Sequence, residues 1–136
     1  MLEADGGTRT ASITGGFVAL AIALAKLTSD GRLPGPVIRE PVAATSVGLV
    51  NDALMLDLVY VEDSRAEVDL NMVATRSGDV IEVQGTAEGA PIPRKTVIQM
   101  MDMALVGITA LTEVQEKALA AAGVDLRALL VAKDRT

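Results

Sequence analysis

The sequence contains no cysteine, no histidine and no tryptophan. Without cysteine, disulfides and thiolate-held metals are excluded. Without histidine there is no imidazole to serve as base, metal ligand or pH switch. Aromatic residues make up 1%, a single Phe17 and a single Tyr60. Acid–base chemistry therefore falls to carboxylates, lysine or Tyr60, and the stacking of bases on exposed rings that holds much single-stranded nucleic acid is nearly closed off. Positive charge is also scarce: 12 Lys and Arg stand against 18 Asp and Glu, a net charge of −6. That argues against a broad nucleic-acid surface and leaves room for a local basic pocket. The longest charge-free run, residues 10–25, carries Gly, Ser and Thr and falls short of a membrane span. It lies too close behind Asp5 and Arg9 to read as a signal peptide. A buried helix in a cytoplasmic protein, with no membrane partner, is the expectation.

What is present suits one domain over residues 1–136, long enough to bury a core of Val, Leu, Ile, Ala and Met. Residues 1–9 read as a polar, glycine-bearing loop. From Thr10, Ile13, Phe17, Leu20, Leu24 and Leu27 recur at helical spacing, and Asp30-Gly31 ends that helix. Pro34, Pro36 and Pro41 mark a loop. Residues 42–50 and 53–60 predict two strands joined at Asn51-Asp52, an antiparallel hairpin. A charged loop follows at 62–67, then strands at 68–75 and 80–84 and a loop at 85–93. From Arg94 a long helix is expected, with Val97, Ile98, Met101, Leu105, Ile108, Leu111 and Val114 on its buried face. A second apolar patch, residues 126–131, precedes a short polar tail. The fold class expected is α+β: a four-stranded antiparallel sheet packed with two main helices. Its open sheet edges favour a partner.

Two stretches have the residues for chemistry. Asp5-Gly6-Gly7-Thr8-Arg9-Thr10 stands at a helix start, where amides without intrahelical acceptors and the helix dipole favour an anion. Glycines allow close approach, and Thr8 and Arg9 add donors, so the stretch reads either as a phosphate cradle or as a plain glycine loop with a threonine cap. The second is Glu62-Asp63-Ser64-Arg65-Ala66-Glu67-Val68-Asp69. Asp63 leaves one strand and Asp69 stands between apolar neighbours inside the next, so the two carboxylates can face each other. A pair of that kind suits Mg²⁺ or Mn²⁺, or proton donation to a leaving oxygen. The alternative is a solvated charged turn.

Residues 4–11, ADGGTRTA, resemble the phosphate-binding motif of the ribonuclease PH family, and residues 59–71, VYVEDSRAEVDLN, resemble its catalytic acidic motif. Residues 81–89, IEVQGTAEG, and 43–48, AATSVG, are similar to two further blocks, in the same order and spacing. The resemblance extends to polynucleotide phosphorylase and exosome core domains. It implies the second half of the ribonuclease PH fold (ribosomal protein S5 domain 2-like), with the N-terminal half missing. It implies a cytoplasmic, phosphorolytic 3′→5′ exoribonuclease that trims precursor tRNA with inorganic phosphate as co-substrate. Gly7, Thr8 and Arg9 would hold phosphate. Asp63 and Asp69 would hold Mg²⁺ or Mn²⁺ or assist the leaving oxygen. The partners implied are an RNA 3′ end and either copies of the chain or a complementing N-terminal half. The alternative to an enzyme is a non-catalytic half-fold that self-associates.

Overall fold

The computed structural model describes residues 5–132. Ala4 at the head of the first motif, and the end of the polar tail, lie outside them. Helix α1 (Thr8–Ser29) leads into strands β1 (Val42–Val50) and β2 (Ala53–Leu56), then a one-turn helix α2 (Tyr60–Asp63). Strands β3 (Val68–Thr75) and β4 (Val80–Ala87) follow, then the long helix α3 (Arg94–Ala121) and a 3₁₀ turn (Leu126–Leu129). The sheet is antiparallel in the order β2-β1-β3-β4. Asn51 and Asp52 both take the left-handed φ that a tight two-residue hairpin requires, at 50° and 63°. The α+β expectation holds.

Register sorts the side chains. Val47 pairs with Leu70 and Ala43 with Ala74, so these residues share one face with Val68 and Met72. That face packs on Met100, Ala104 and Ile108 of α3 as the main core. Each large apolar side chain fully buried there contributes about 1.5–3 kcal/mol. The opposite face carries Ser46, Asn71 and Gln84 in one row, with Gly48, Asp69 and Thr86 in the next. A second core gathers Phe17, Ala21, Ile38, Leu119, Leu126 and Leu129 where α1, α3 and the 3₁₀ turn meet.

Strand β2 covers β1 only from Val47 to Val50. Helix α1 closes the rest of that edge: the Thr14 hydroxyl accepts from Ala44 N at 3.0 Å and donates to Ala44 O at 3.1 Å. Gln115 of α3, 2% exposed, ties the three elements by donating Nε2 to Thr14 O (2.8 Å) and Val42 O (2.9 Å). Gln115→Leu strips both carbonyls of their donor. It should lower stability by about 2 kcal/mol, read as a fall in the thermal midpoint by circular dichroism.

The structure corrects five expectations. Strand β2 ends at Leu56 rather than residue 60, because Asp57 turns left-handed (φ 59°) and breaks the extended chain. Part of the expected charged loop is helix α2, whose start is closed by Glu62 Oε2 accepting from Val59 N. Strand β4 runs on to Ala87. The buried stripes differ from those marked by large apolar residues: Leu20, Ile98 and Val114 are exposed, while Thr10, Ala104, Gly107, Thr112 and Gln115 are buried. Close packing of α3 on β1 and β2 selects small residues: a Cβ at Gly107 would stand 2.9 Å from Leu56 Cδ1 and 3.3 Å from Thr45 Cγ2. Finally, α1 and α3 do have the length and apolar content of a membrane span. Their sheet-facing contacts, not their length, fix their place in this fold.

Candidate functional site

The N-terminus of α1 sits over the sheet face opposite α3. Asp5 anchors it. Its Oδ1 accepts from Gly6 N and from Tyr60 N, each at 2.8 Å, which pins the loop to the start of α2. The Tyr60 amide, then the Gly6 amide, hold the Asp5 carboxyl below the usual carboxylate range. Gly7 caps α1 in the left-handed region (φ 67°), and no side chain caps the first amides. No acidic residue stands in the first turn. The amides of that turn are therefore donors at the positive end of the helix dipole.

The hydroxyls beside them are mostly committed. Thr8 Oγ1 donates to Asp5 O at 2.8 Å and Thr10 Oγ1 to Gly7 O at 2.7 Å. Thr8 thus offers its amide rather than its hydroxyl proton. Arg9 reaches across to β4, where Nη1 donates to Gln84 Oε1 at 3.2 Å and Nη2 pairs with Glu82 Oε1. Two of the five guanidinium N–H groups are used there, leaving three for another acceptor. The structure therefore brings Gly7, Thr8 and Arg9 together at one helix start and holds the arginine in a polar bracket on β4.

Asp69 lies on the same face. Asp69 stands mid-strand in β3; Asp63 ends α2, not a strand as expected. Burial first, then the Asp63 carboxylate, push the Asp69 carboxyl above its ordinary value; Glu88 adds to this and a hydrogen bond from Asn71 opposes it. Asn71 Nδ2 donates to Asp69 Oδ2 at 2.8 Å. Asp69 Oδ1 is buried with no partner. The Asp63 carboxylate is therefore near enough to be felt by Asp69. An orphaned carboxylate oxygen beside a like charge fits a divalent cation held by few protein ligands and several waters. Among the described residues no group of three or more carboxylates is gathered around one point.

Several residues of the site are not singled out by the sequence. Glu82 and Gln84 hold Arg9, Asn71 holds Asp69, and Ser46 and Asp57 flank Gly7. Two of them carry a signal: period-two spacing places Asn71 beside Asp69, and Ser46 is a polar residue inside an apolar strand. The left-handed turn at Asp57 carries none.

A profile of the 3′ exoribonuclease family, domain 2, matches residues 40–107, which includes both aspartates and stops short of the α1 cradle. Similarity to curated proteins covers the greater part of the chain. Ribonuclease PH of Moorella thermoacetica is 54% identical over 119 residues, 88% of this chain and 48% of that protein. Ribonuclease PH of Neisseria meningitidis is 54% identical over 122 residues, 90% of this chain and 50% of that protein. The chain spans about half the length of the curated relatives it matches. The fold is similar to that of rice Rrp46, with a TM-score of 0.66 at 15% identity over 88% of this chain and 51% of that one.

Proposed function

Because the chain belongs to the 3′ exoribonuclease family, we propose that it supplies the phosphate cradle and acidic pair of a phosphorolytic 3′→5′ exoribonuclease acting on RNA ends, tRNA precursors among them. The observation that carries this reading is one sheet face bearing both an uncapped helix start with Arg9 and an aspartate with an unpartnered oxygen. In the reaction an oxygen of inorganic phosphate attacks the terminal phosphodiester. The new P–O bond forms as the bond to the penultimate 3′ oxygen breaks, that oxygen gains a proton, and a nucleoside diphosphate leaves. Several negative charges converge. The α1 amides and Arg9 offset those on phosphate, and Asp63 and Asp69 are suited to hold Mg²⁺ or Mn²⁺, which would supply charge neutralisation at the scissile group. The raised Asp69 carboxyl is alternatively suited to hand its proton to the leaving oxygen. Neither route needs the histidine that the sequence lacks.

Partners belong to the same proposal. Strand β4 is an open edge exposed along most of its length, with Ile81 and Val83 uncovered. It suits either further copies of the chain or the half of a ribonuclease PH that this chain does not match. A cytoplasmic location is part of the same proposal. The test is release of nucleoside diphosphate from a short RNA, by the chain alone and with that complementary half added. Release in either arm is expected, and stronger in the second. No release in both would defeat the enzymatic reading and leave the self-associating half-fold.

A further inference from the structure

Three hydroxyls surround the start of α1, and their protons differ in employment. Thr8 donates to Asp5 O and Thr10 to Gly7 O. Ser46, 3% exposed on β1, donates to nothing: its Oγ is buried without a partner. It shares a row with Asn71 and Gln84, so it belongs to the face beneath the helix start. It lies directly under the cap. A Cβ placed on Gly7 would stand 3.8 Å from Ser46 Oγ, 3.8 Å from Asp57 Oδ1 and 3.1 Å from Thr10 Oγ1. Ser46 is nonetheless bonded to neither neighbour.

A buried hydroxyl with an idle proton is costly, and native proteins keep few of them. The helix start above it presents amide donors and lacks an acceptor. Both deficits are met by one oxygen-rich anion. We infer that Ser46 is a further phosphate-contacting residue, donating its hydroxyl to an oxygen of the orthophosphate that seats on the first amides of α1. The inference rests on the phosphate reading of that cradle and adds to it a donor from the sheet. The absence of a side chain at Gly7 keeps the space between the strand hydroxyl and the helix amides open. Asp57 bounds the same space and gives it directionality: an anion is drawn towards the amides and Ser46 and away from that carboxylate.

The test compares the chain with Ser46→Ala in two titrations followed by ³¹P NMR and by protein amide shifts, one with inorganic phosphate and one with a short oligoribonucleotide lacking terminal phosphates. Ser46→Ala should weaken phosphate binding about tenfold, the worth of one hydrogen bond to a charged acceptor. Oligonucleotide binding should be unchanged. The thermal midpoint without phosphate should stay level or rise, because an idle buried hydroxyl has been removed. Equal phosphate affinity in both proteins would overturn the role of Ser46 while leaving the cradle intact. Loss of oligonucleotide rather than phosphate binding would overturn it too. Absence of phosphate binding by the unaltered chain would overturn the cradle reading itself. A lowered midpoint with unchanged affinity would mark Ser46 as structural only.

Discussion

Alanine at Gly6 should dismantle the helix start and, with it, phosphate binding. A Cβ there would collide with the Leu58 carbonyl oxygen, with Val59 C at 2.9 Å and Leu58 C at 3.0 Å behind it. All three are backbone atoms, so no rotamer change relieves the clash. The loop must move, and Asp5 then loses its grip on the Tyr60 amide. Overpacking of this kind costs about 1–3 kcal/mol, and more where backbone must shift. The thermal midpoint should fall by roughly 4–8 °C. Phosphate affinity should drop below detection while far-ultraviolet circular dichroism still reports the sheet and α3. Gly15→Ala is the control: nothing lies within 4 Å of the new methyl, so the midpoint should hold or rise.

Replacing Asp69 by asparagine should separate stability from activity. The native carboxyl is raised above its ordinary value by burial and by Asp63. A raised carboxyl holds its proton more tightly when folded than when unfolded. Its favourable contribution is therefore complete below about pH 4, the unfolded value, and is lost as pH rises through the native one. Above that native value the ionised side chain is a liability. Asp69→Asn removes it and can still accept from Asn71. The variant should be more heat-stable than the parent at pH 7, by about 2–4 °C, with the difference closing towards pH 4. Phosphorolysis, in whichever assembly shows it, should fall by about 10²–10⁴. A variant less stable at neutral pH would mean that Asp69 is held by a favourable partner, and the reading of its orphaned oxygen would fail.

Much of the fold is legible in the sequence alone. Strands β1 and β3 have the expected bounds, because branched and small apolar residues between turn signals leave little choice. The hairpin at Asn51-Asp52 follows from two residues that tolerate positive φ. The end of β2 is not legible. Residues 56–60 keep an apolar alternation that suits a strand, and only the left-handed Asp57 stops it. The faces of α1 and α3 escape sequence reading for one physical reason. Where helices pack tightly on a strand, Ala21, Ala104, Gly107 and Gln115 are the buried residues, and hydrophobicity does not mark them.

The candidate site is half legible. Glycines before a helix and carboxylates around a turn announce themselves by type and spacing. What sequence spacing hides is which donors are already spent. Thr8 gives its proton to Asp5, Arg9 is bracketed by Glu82 and Gln84 from a distant strand, and Ser46 remains uncommitted. Those commitments depend on the β1-β3-β4 register, which long-range pairing alone sets.

We propose that this chain contributes a helix-start cradle and an aspartate pair to phosphorolysis. It is tested most directly with isotopically labelled inorganic phosphate, a short RNA, and the chain together with the half of a ribonuclease PH relative that it does not match. The expected result is label in the terminal phosphate of released nucleoside diphosphates, no release when phosphate is omitted, and loss of release in Asp63→Asn and Asp69→Asn. Release of unlabelled nucleoside monophosphates, or labelled release that survives both substitutions, would contradict it.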